Sequence, residues 1–408
     1  MMNNKIIATA VLIVVAVILA GLYIATEHES NDDGILYNTS GQTVVDAVGR
    51  TVPLPDTLDH GIVTIGSAGP LRFISCFDAC KKVIEVDEGD IKDSKNGRAY
   101  SYSYPFDELT RYHADNALES RTAESIGNLG PSLIVVQESV WNDYNNNCNI
   151  LAKRCALIVI KTQDAFNFSD ENGGLSADIK NTFNILGKAL GEEERAAEVI
   201  IGIESIISDL RSLTGTSNDN VYVAGVTIQG SNTLNTTFPI YVPLDLVKGN
   251  NAYKGENIGG KVTLNIENFT QMNIQKVVID PSSSDKIKEQ SSQLVLEYLY
   301  KLNANSNTND RIRLYITVPT IWDSINYDSS LASAYYLAYL LYGTISQDQL
   351  TEKINNVFTT FYGDRGENVF ADMTAFFEQK SAANGVEMPL LKEVFITENN
   401  GVYSLAAA

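Results

Sequence analysis

Residues 97–116 read GRAYSYSYPFDELTRYHADN, in which Tyr100, Tyr102, Tyr104 and Tyr112 interleave with Arg98 and Arg111. Phenolate oxygens are hard donors suited to ferric iron, and a guanidinium matches a carboxylate because it offers two parallel N–H donors. Arg98, Tyr100 and Tyr102 therefore have side chains able to contact ferric iron or carboxylates. The alternating YSYSY is equally the pattern of an edge strand with one aromatic face. The two tryptophans, Trp141 and Trp322, each follow an apolar run, LIVVQESVW and LYITVPTIW. A rigid ring on either side of a flat ligand would add about 0.5–1.5 kcal/mol of stacking per pair, and the alternative is that each ring packs a loop onto its own part of the chain.

Covalent and metal chemistry is thinly supplied. No HExxH, GxSxG or Walker A sequence occurs, and the three histidines, His28, His60 and His113, all lie in the first half of the chain. Cys76 and Cys80 are spaced as one helical turn and Cys148 and Cys155 as two, neither being the CxxC spacing of a zinc or redox site. Disulfides, buried free thiols and a metal site stay open for these four cysteines. Asn-x-Ser/Thr triplets at Asn38, Asn167, Asn235 and Asn268 are compatible with surface glycosylation.

These residues need a frame, and its centre is the stretch from Glu192 to Leu213. Ala196, Val199, Ile200, Ile203, Ile206, Ile207, Leu210 and Leu213 step by three and four, which puts them on one face of a long helix. Gly191 stands where an N-cap would, glutamates fill the positively polarised first turn, and Arg211 lies in the last. On either side the same grammar of strand, loop, helix and strand occurs, so two lobes are expected to hang on one rod.

In the first half, TVVDAVGRTVPLP predicts two short extended pieces around a turn at Val48-Gly49-Arg50. Ile62 to Ile65 is an apolar run fit for a buried strand, a helix starts near Pro70, and Val83 to Val86 is the next strand. In such a βαβ unit a ligand crevice lies at the carboxyl ends of the strands, near residues 67–70 and 87–89. Past the rod, Val221 to Val226 is a strand, and Gln229 and Asn232 lie in the polar loop after it.

With 408 residues the chain is long enough for two cores, and its formal charge of −20 argues against a nucleic-acid partner. Ile6 to Ala25 is an uncharged apolar run of bilayer-spanning length, read as an anchor or a cleaved signal with the bulk of the protein outside the cell.

The sequence resembles the extracytoplasmic substrate-binding proteins of ABC importers for iron–siderophores, haem and corrinoids, the class with a helical backbone between lobes. The resemblance is carried by the opening Asp46-Ala47-Val48-Gly49-Arg50-Thr51-Val52-Pro53-Leu54-Pro55 and by Glu124 to Val136, which is similar to the family's Glu-x-x-x-x-Leu-x-Pro-Asp-Leu-Ile-Val stretch with Ser132 in place of the aspartate. The NA segment at Asn251-Ala252 and a closing strand, cleft loop with Asn326 and Ala/Tyr-rich helix from about Ser330 to Tyr342 extend it over roughly residues 43–375.

The resemblance implies an α/β fold of two Rossmann-like three-layer lobes joined by one backbone helix. The expected division is an anchor or signal segment 1–26, a tether 27–42, an N-terminal lobe 43–175, linker helices 176–215 with the backbone helix at 192–213, a C-terminal lobe 216–378 and an extension 379–408. It also implies capture of a metal chelate by a monomer, without a cofactor or directly bound metal of its own and without chemistry on the cargo. A ferric siderophore is the first expectation, a corrinoid or haem the next. Arg98, Tyr100, Tyr102, Trp141, Gln229, Asn232, Trp322 and Asn326 would border the ligand. Glu124 and Glu267, each seven residues before Pro131 or Ile274, would dock on an ABC permease dimer with its ATPase subunits. A membrane-anchored chelatase-like enzyme using His60 or His113, and a surface sensor or adhesive protein, are the readings from other classes.

Overall fold

The computed structural model describes residues 35–408 apart from 164, 169–172, 227–231, 256–259 and 323. The apolar run at 6–25 and Gln229 lie outside the described residues, among which no helix is long and apolar enough to cross a membrane. The chain enters through an antiparallel hairpin of β1 (Thr39–Val45) and β2 (Thr51–Pro55). Its turn is held by Asp46, whose carboxylate accepts from the amides of Val48 and Arg50 and pairs with the Arg50 guanidinium at 2.6 Å.

The first sheet contains β3 (Ile62–Ile65), β4 (Val83–Asp87), β5 (Tyr112–His113), β6 (Leu133–Gln137) and β7 (Ala156–Ile160), all parallel, in the order β5-β4-β3-β6-β7. Every residue of β3 and β7 is buried, as a sheet covered on both faces requires. The YSYSY run is not an edge strand. Tyr100–Ser103 is a short helix, because Tyr100 turns inward to a buried acid and Pro105 ends the run.

The second sheet is built from β8 (Asn220–Ala224), β10 (Asn250–Asn251), β12 (Lys276–Ile279), β13 (Arg313–Ile316), β16 (Glu393–Asn399) and β17 (Val402–Ala407), ordered β10-β8-β12-β13-β16-β17. Short pairs β9 (Thr236–Thr237) with β11 (Val262–Thr263), and β14 (Ile321–Trp322) with β15 (Ser324–Ile325), decorate its loops. The first four strands are parallel and repeat the order β4-β3-β6-β7 of the first sheet. β16 and β17 form an antiparallel hairpin added at the β13 edge, which gives the sequence from 393 onward a structure that its composition left undetermined.

The helix Glu193–Leu213 joins the two sheets, with Ala196, Val199, Ile203, Ile206, Ile207 and Leu210 buried and Ile200 and Leu213 partly so. At about 1.5 Å per residue it is roughly 32 Å long. It packs on Ala177–Leu190 from the first half and on Tyr327–Tyr342 and Gln347–Tyr362 from the second. Gly191 is not its N-cap: with φ of 72° it closes the preceding helix, a left-handed position that suits glycine. Glu192 occupies the N-cap, and its carboxylate accepts from the amides of Asp78 and Ala79 in the first lobe.

Candidate ligand crevice

The carboxyl ends of the two parallel sheets face each other and are in direct contact. From the first lobe, Arg72 in the helix Pro70–Ile74 donates to the Ile325 carbonyl and, at 3.3 Å, to Asn326 Oδ1. Asn326 Nδ2 in turn donates to the Gly97 carbonyl, and the Tyr327 hydroxyl donates to the Thr162 carbonyl. A methyl group placed on Gly97 would lie 2.4 Å from Trp322 Cβ, so the absence of a side chain there is what lets the second lobe's tryptophan close on the first. The helix Val369–Ala383 also reaches across, with Phe376 edge-on to Tyr102 at 6.0 Å.

Among the described residues, two openings lie near this contact. One, of about 350 Å³, is polar and lined at the ends of β6 and β7 by residues including Gln137, Glu138, Asn142, Lys161 and Asp178. The other, of about 430 Å³, is walled by Tyr102, Tyr104 and Phe376 with Lys95 and Asp372. A further cavity, about 810 Å³, is lined by residues including Arg311 to Leu314 and Glu393 to Ile396 at the amino end of β13, away from the crevice.

The expected ligand-contact residues separate into two groups. Trp322 and Asn326 stand at the lobe-to-lobe contact, and Tyr102 lines the aromatic opening while donating to the Lys95 carbonyl at 2.6 Å. Arg98 and Tyr100 are both fully buried and share one acid, Arg98 bonded to Asp90 at 2.9 Å and Tyr100 donating to the same carboxylate at 2.8 Å. Burial raises the Asp90 carboxyl, while Arg98 and the Ala68 amide pull it back down. Burial also raises both Tyr100 and Tyr102 above the usual phenol range, which keeps them neutral rather than phenolate.

Trp141 is not a crevice wall. It is 9% exposed and lies in the first lobe's second hydrophobic cluster, with the Arg50 guanidinium 3.9 Å above its ring. The Asp46–Arg50 turn docks on β7, where Ala47 N donates to the Val159 carbonyl at 3.0 Å, and this brings the arginine over the tryptophan. Asn232 is buried within its own lobe, donating to the Ser282 carbonyl at 2.8 Å.

His60 is exposed just ahead of β3, at the opposite end of the strand from the crevice, and His113 is buried between Glu85 and Asp87. The four cysteines are free and buried, and burial raises each thiol, so none is a ready thiolate. Among the described residues no cluster of three or more His, Cys, Asp or Glu is arranged to hold a metal.

Sequence reasoning missed Arg72, which makes two bonds across the crevice. A lone arginine in PLRFI carries no motif. The available signal was its place one helical step past the βα turn.

Glu124 and Glu267 are both exposed, on the helices Ser120–Leu129 and Ile266–Gln271 that lead into β6 and β12. These strands hold the same place in their respective sheets, and each glutamate stands nine residues ahead of its strand, Leu133 or Lys276.

No family model and no curated sequence matches the chain. Solved structures of the same fold include a periplasmic solute-binding protein from Veillonella parvula, with TM-score 0.55 and 14% identity over 83% of this chain and 99% of that one. The periplasmic molybdate-binding protein of a Haemophilus influenzae ABC transporter aligns at TM-score 0.55 and 15% identity, covering 79% and 98%. A Helicobacter pylori protein solved with Ni(II) bound aligns at 0.53 and 11% identity, covering 81% and 99%. The chain therefore has the two-lobed α/β fold of the periplasmic solute-binding proteins.

Proposed function

We propose that this chain is the extracytoplasmic solute-binding component of an ABC importer, capturing a metal chelate and passing it unchanged to a permease dimer. The observation that carries the reading is the repeat of one parallel strand order in two lobes whose strand carboxyl ends meet, since ligands of open α/β sheets bind beyond those ends. A ferric siderophore is the first choice of cargo and a corrinoid or haem the second, bound by a monomer held at the outer membrane face through the segment before residue 27. Openings of about 350 and 430 Å³ sit at the small end of ligand pockets, so a chelate of this size enters when the lobes part.

Glu124 and Glu267 serve as the docking pair, one for each permease subunit. Exposed ion pairs contribute about 0–1 kcal/mol each, which suits a contact that must release after delivery. The test is uptake of iron-55 chelates by cells carrying the wild-type protein or a Glu124→Ala, Glu267→Ala double variant. Loss of uptake with unchanged chelate binding is expected; undiminished uptake by the double variant would remove the docking role, and the absence of chelate binding by the wild type would remove the carrier reading itself.

A further inference from the structure

Two buried arginines lie on the crevice side of the first lobe, and their surroundings differ. Arg98 bonds within that lobe to the Gly89 carbonyl, the Asp90 carboxylate and, at 3.4 Å, Ser67 Oγ. Arg72 is 4% exposed, and among the described residues no carboxylate lies within ion-pair distance of it. Its two acceptors, the Ile325 carbonyl and Asn326 Oδ1, are neutral and belong to the other lobe; its Nε has no hydrogen-bond partner, and the Tyr327 ring centroid lies 5.0 Å from its guanidinium carbon. Asp328 is the acid whose field Arg72 shares, but its oxygens are engaged by the Tyr362 hydroxyl and the Ser329 amide.

A buried cation without a counter-ion is costly, and parting the lobes removes both acceptors at once. What is left is a guanidinium on the crevice floor, held on a short helix whose five residues are all buried. A planar donor so placed is matched by a paired anionic oxygen group.

Resting on the carrier reading above, we infer that the crevice takes a negatively charged oxygen chelate and that Arg72 is the side chain that binds its anionic oxygens, with Ile325 and Asn326 standing in for them while the lobes are shut. Arg72 then sets specificity by charge. A neutral chelate of equal size leaves the cation unpaired and is disfavoured.

The experiment compares the full chain with its R72Q, R72K and N326D variants, titrated with a trianionic ferric tris-catecholate, with ferric citrate and with a neutral ferric trihydroxamate, followed by tryptophan fluorescence and thermal shift. The wild type is expected to bind an anionic chelate at least about tenfold more tightly than the neutral one, and R72Q to lose about tenfold or more of that affinity. R72K should lose less. N326D, which leaves Arg72 in place but supplies a competing carboxylate, should also weaken anion binding. Tight binding of the neutral chelate, or anion binding unchanged in both R72Q and N326D, overturns the inference and leaves the carrier reading standing. Binding of none of the three by the wild type overturns the inference together with the chelate cargo.

Discussion

His113 has Nδ1 3.2 Å from Glu85 Oε1 and Nε2 3.3 Å from Asp87 Oδ2, all three groups being buried. Desolvation pulls the imidazole pKa down, but the hydrogen bonds to Asp87 and Glu85 prevail and raise it to about 9. A histidine raised in the folded state gives stability that is complete below its unfolded value of about 6.5 and is lost as pH climbs through about 9. Thermal unfolding of the wild type should therefore weaken by on the order of 2–3 kcal/mol between those pH values, and His113→Gln should flatten that slope. The effect reaches the crevice, because Asp87 Oδ2 also accepts from the Gly66 amide at 2.7 Å. Single residues were the least legible level of the sequence. Arg98 and Tyr100 carry the right chemistry for a chelate, yet Asp90, only a few positions upstream, claims both, and nothing in a linear pattern says which partner a cation will find. Trp141 was misread for the same reason: Arg50 is distant in sequence and adjacent in space.

At the scale of elements the rod depends on a close approach at Gly202, where an added Cβ would fall 2.5 Å from Thr360 Cγ2 of the helix Gln347–Tyr362. Alanine in a helix interior normally gains about 1 kcal/mol over glycine. Here the clash outweighs that gain, and Gly202→Ala should destabilise by about 1–3 kcal/mol in urea unfolding. Adding Thr360→Ser, which removes the offending methyl group, should restore the midpoint; a Gly202→Ala variant more stable than wild type would show that the two helices have room to spare. Elements were well read from the sequence where period and length agreed. β3 spans the expected Ile62 to Ile65, and the rod begins one residue after its expected start. The helix at Pro70 could be placed but not measured: it stops at Ile74, and Asp78–Lys82 continues as a 3-10 turn tied to Glu192. That stop is set by a tertiary contact, which local propensity does not contain.

On the scale of the whole molecule, two arginine straps bind the second half to the first, one of them carried by the rod itself. Arg365 donates to the carbonyls of Ser75 and Phe77, both at 2.9 Å, and Arg195 bridges the Cys76 carbonyl to those of Thr360 and Phe361. Arg365→Ala should cost about 1–3 kcal/mol and speed hydrogen exchange at amides 76–80, because two carbonyls lose their donor. Unchanged exchange there would mean that Arg195 and Glu192 hold the segment without it. The doubling of the lobes was legible in the sequence as a repeated order of strands and helices. The straps were not, since an arginine that donates to backbone carbonyls leaves no mark on the residues that accept.

The helix Val369–Ala383 adds a last constraint, resting on Tyr102 of the first lobe while Lys380 donates to the Ser282 carbonyl of the second at 3.4 Å. With the rod as one joint and this helix as another, the lobes resemble a door on two pins. Of the motions open to such a body, rotation about the line through both pins disturbs these contacts least, and it widens the crevice on the side away from that line. In the proposed carrier, that open side is where a cargo would enter.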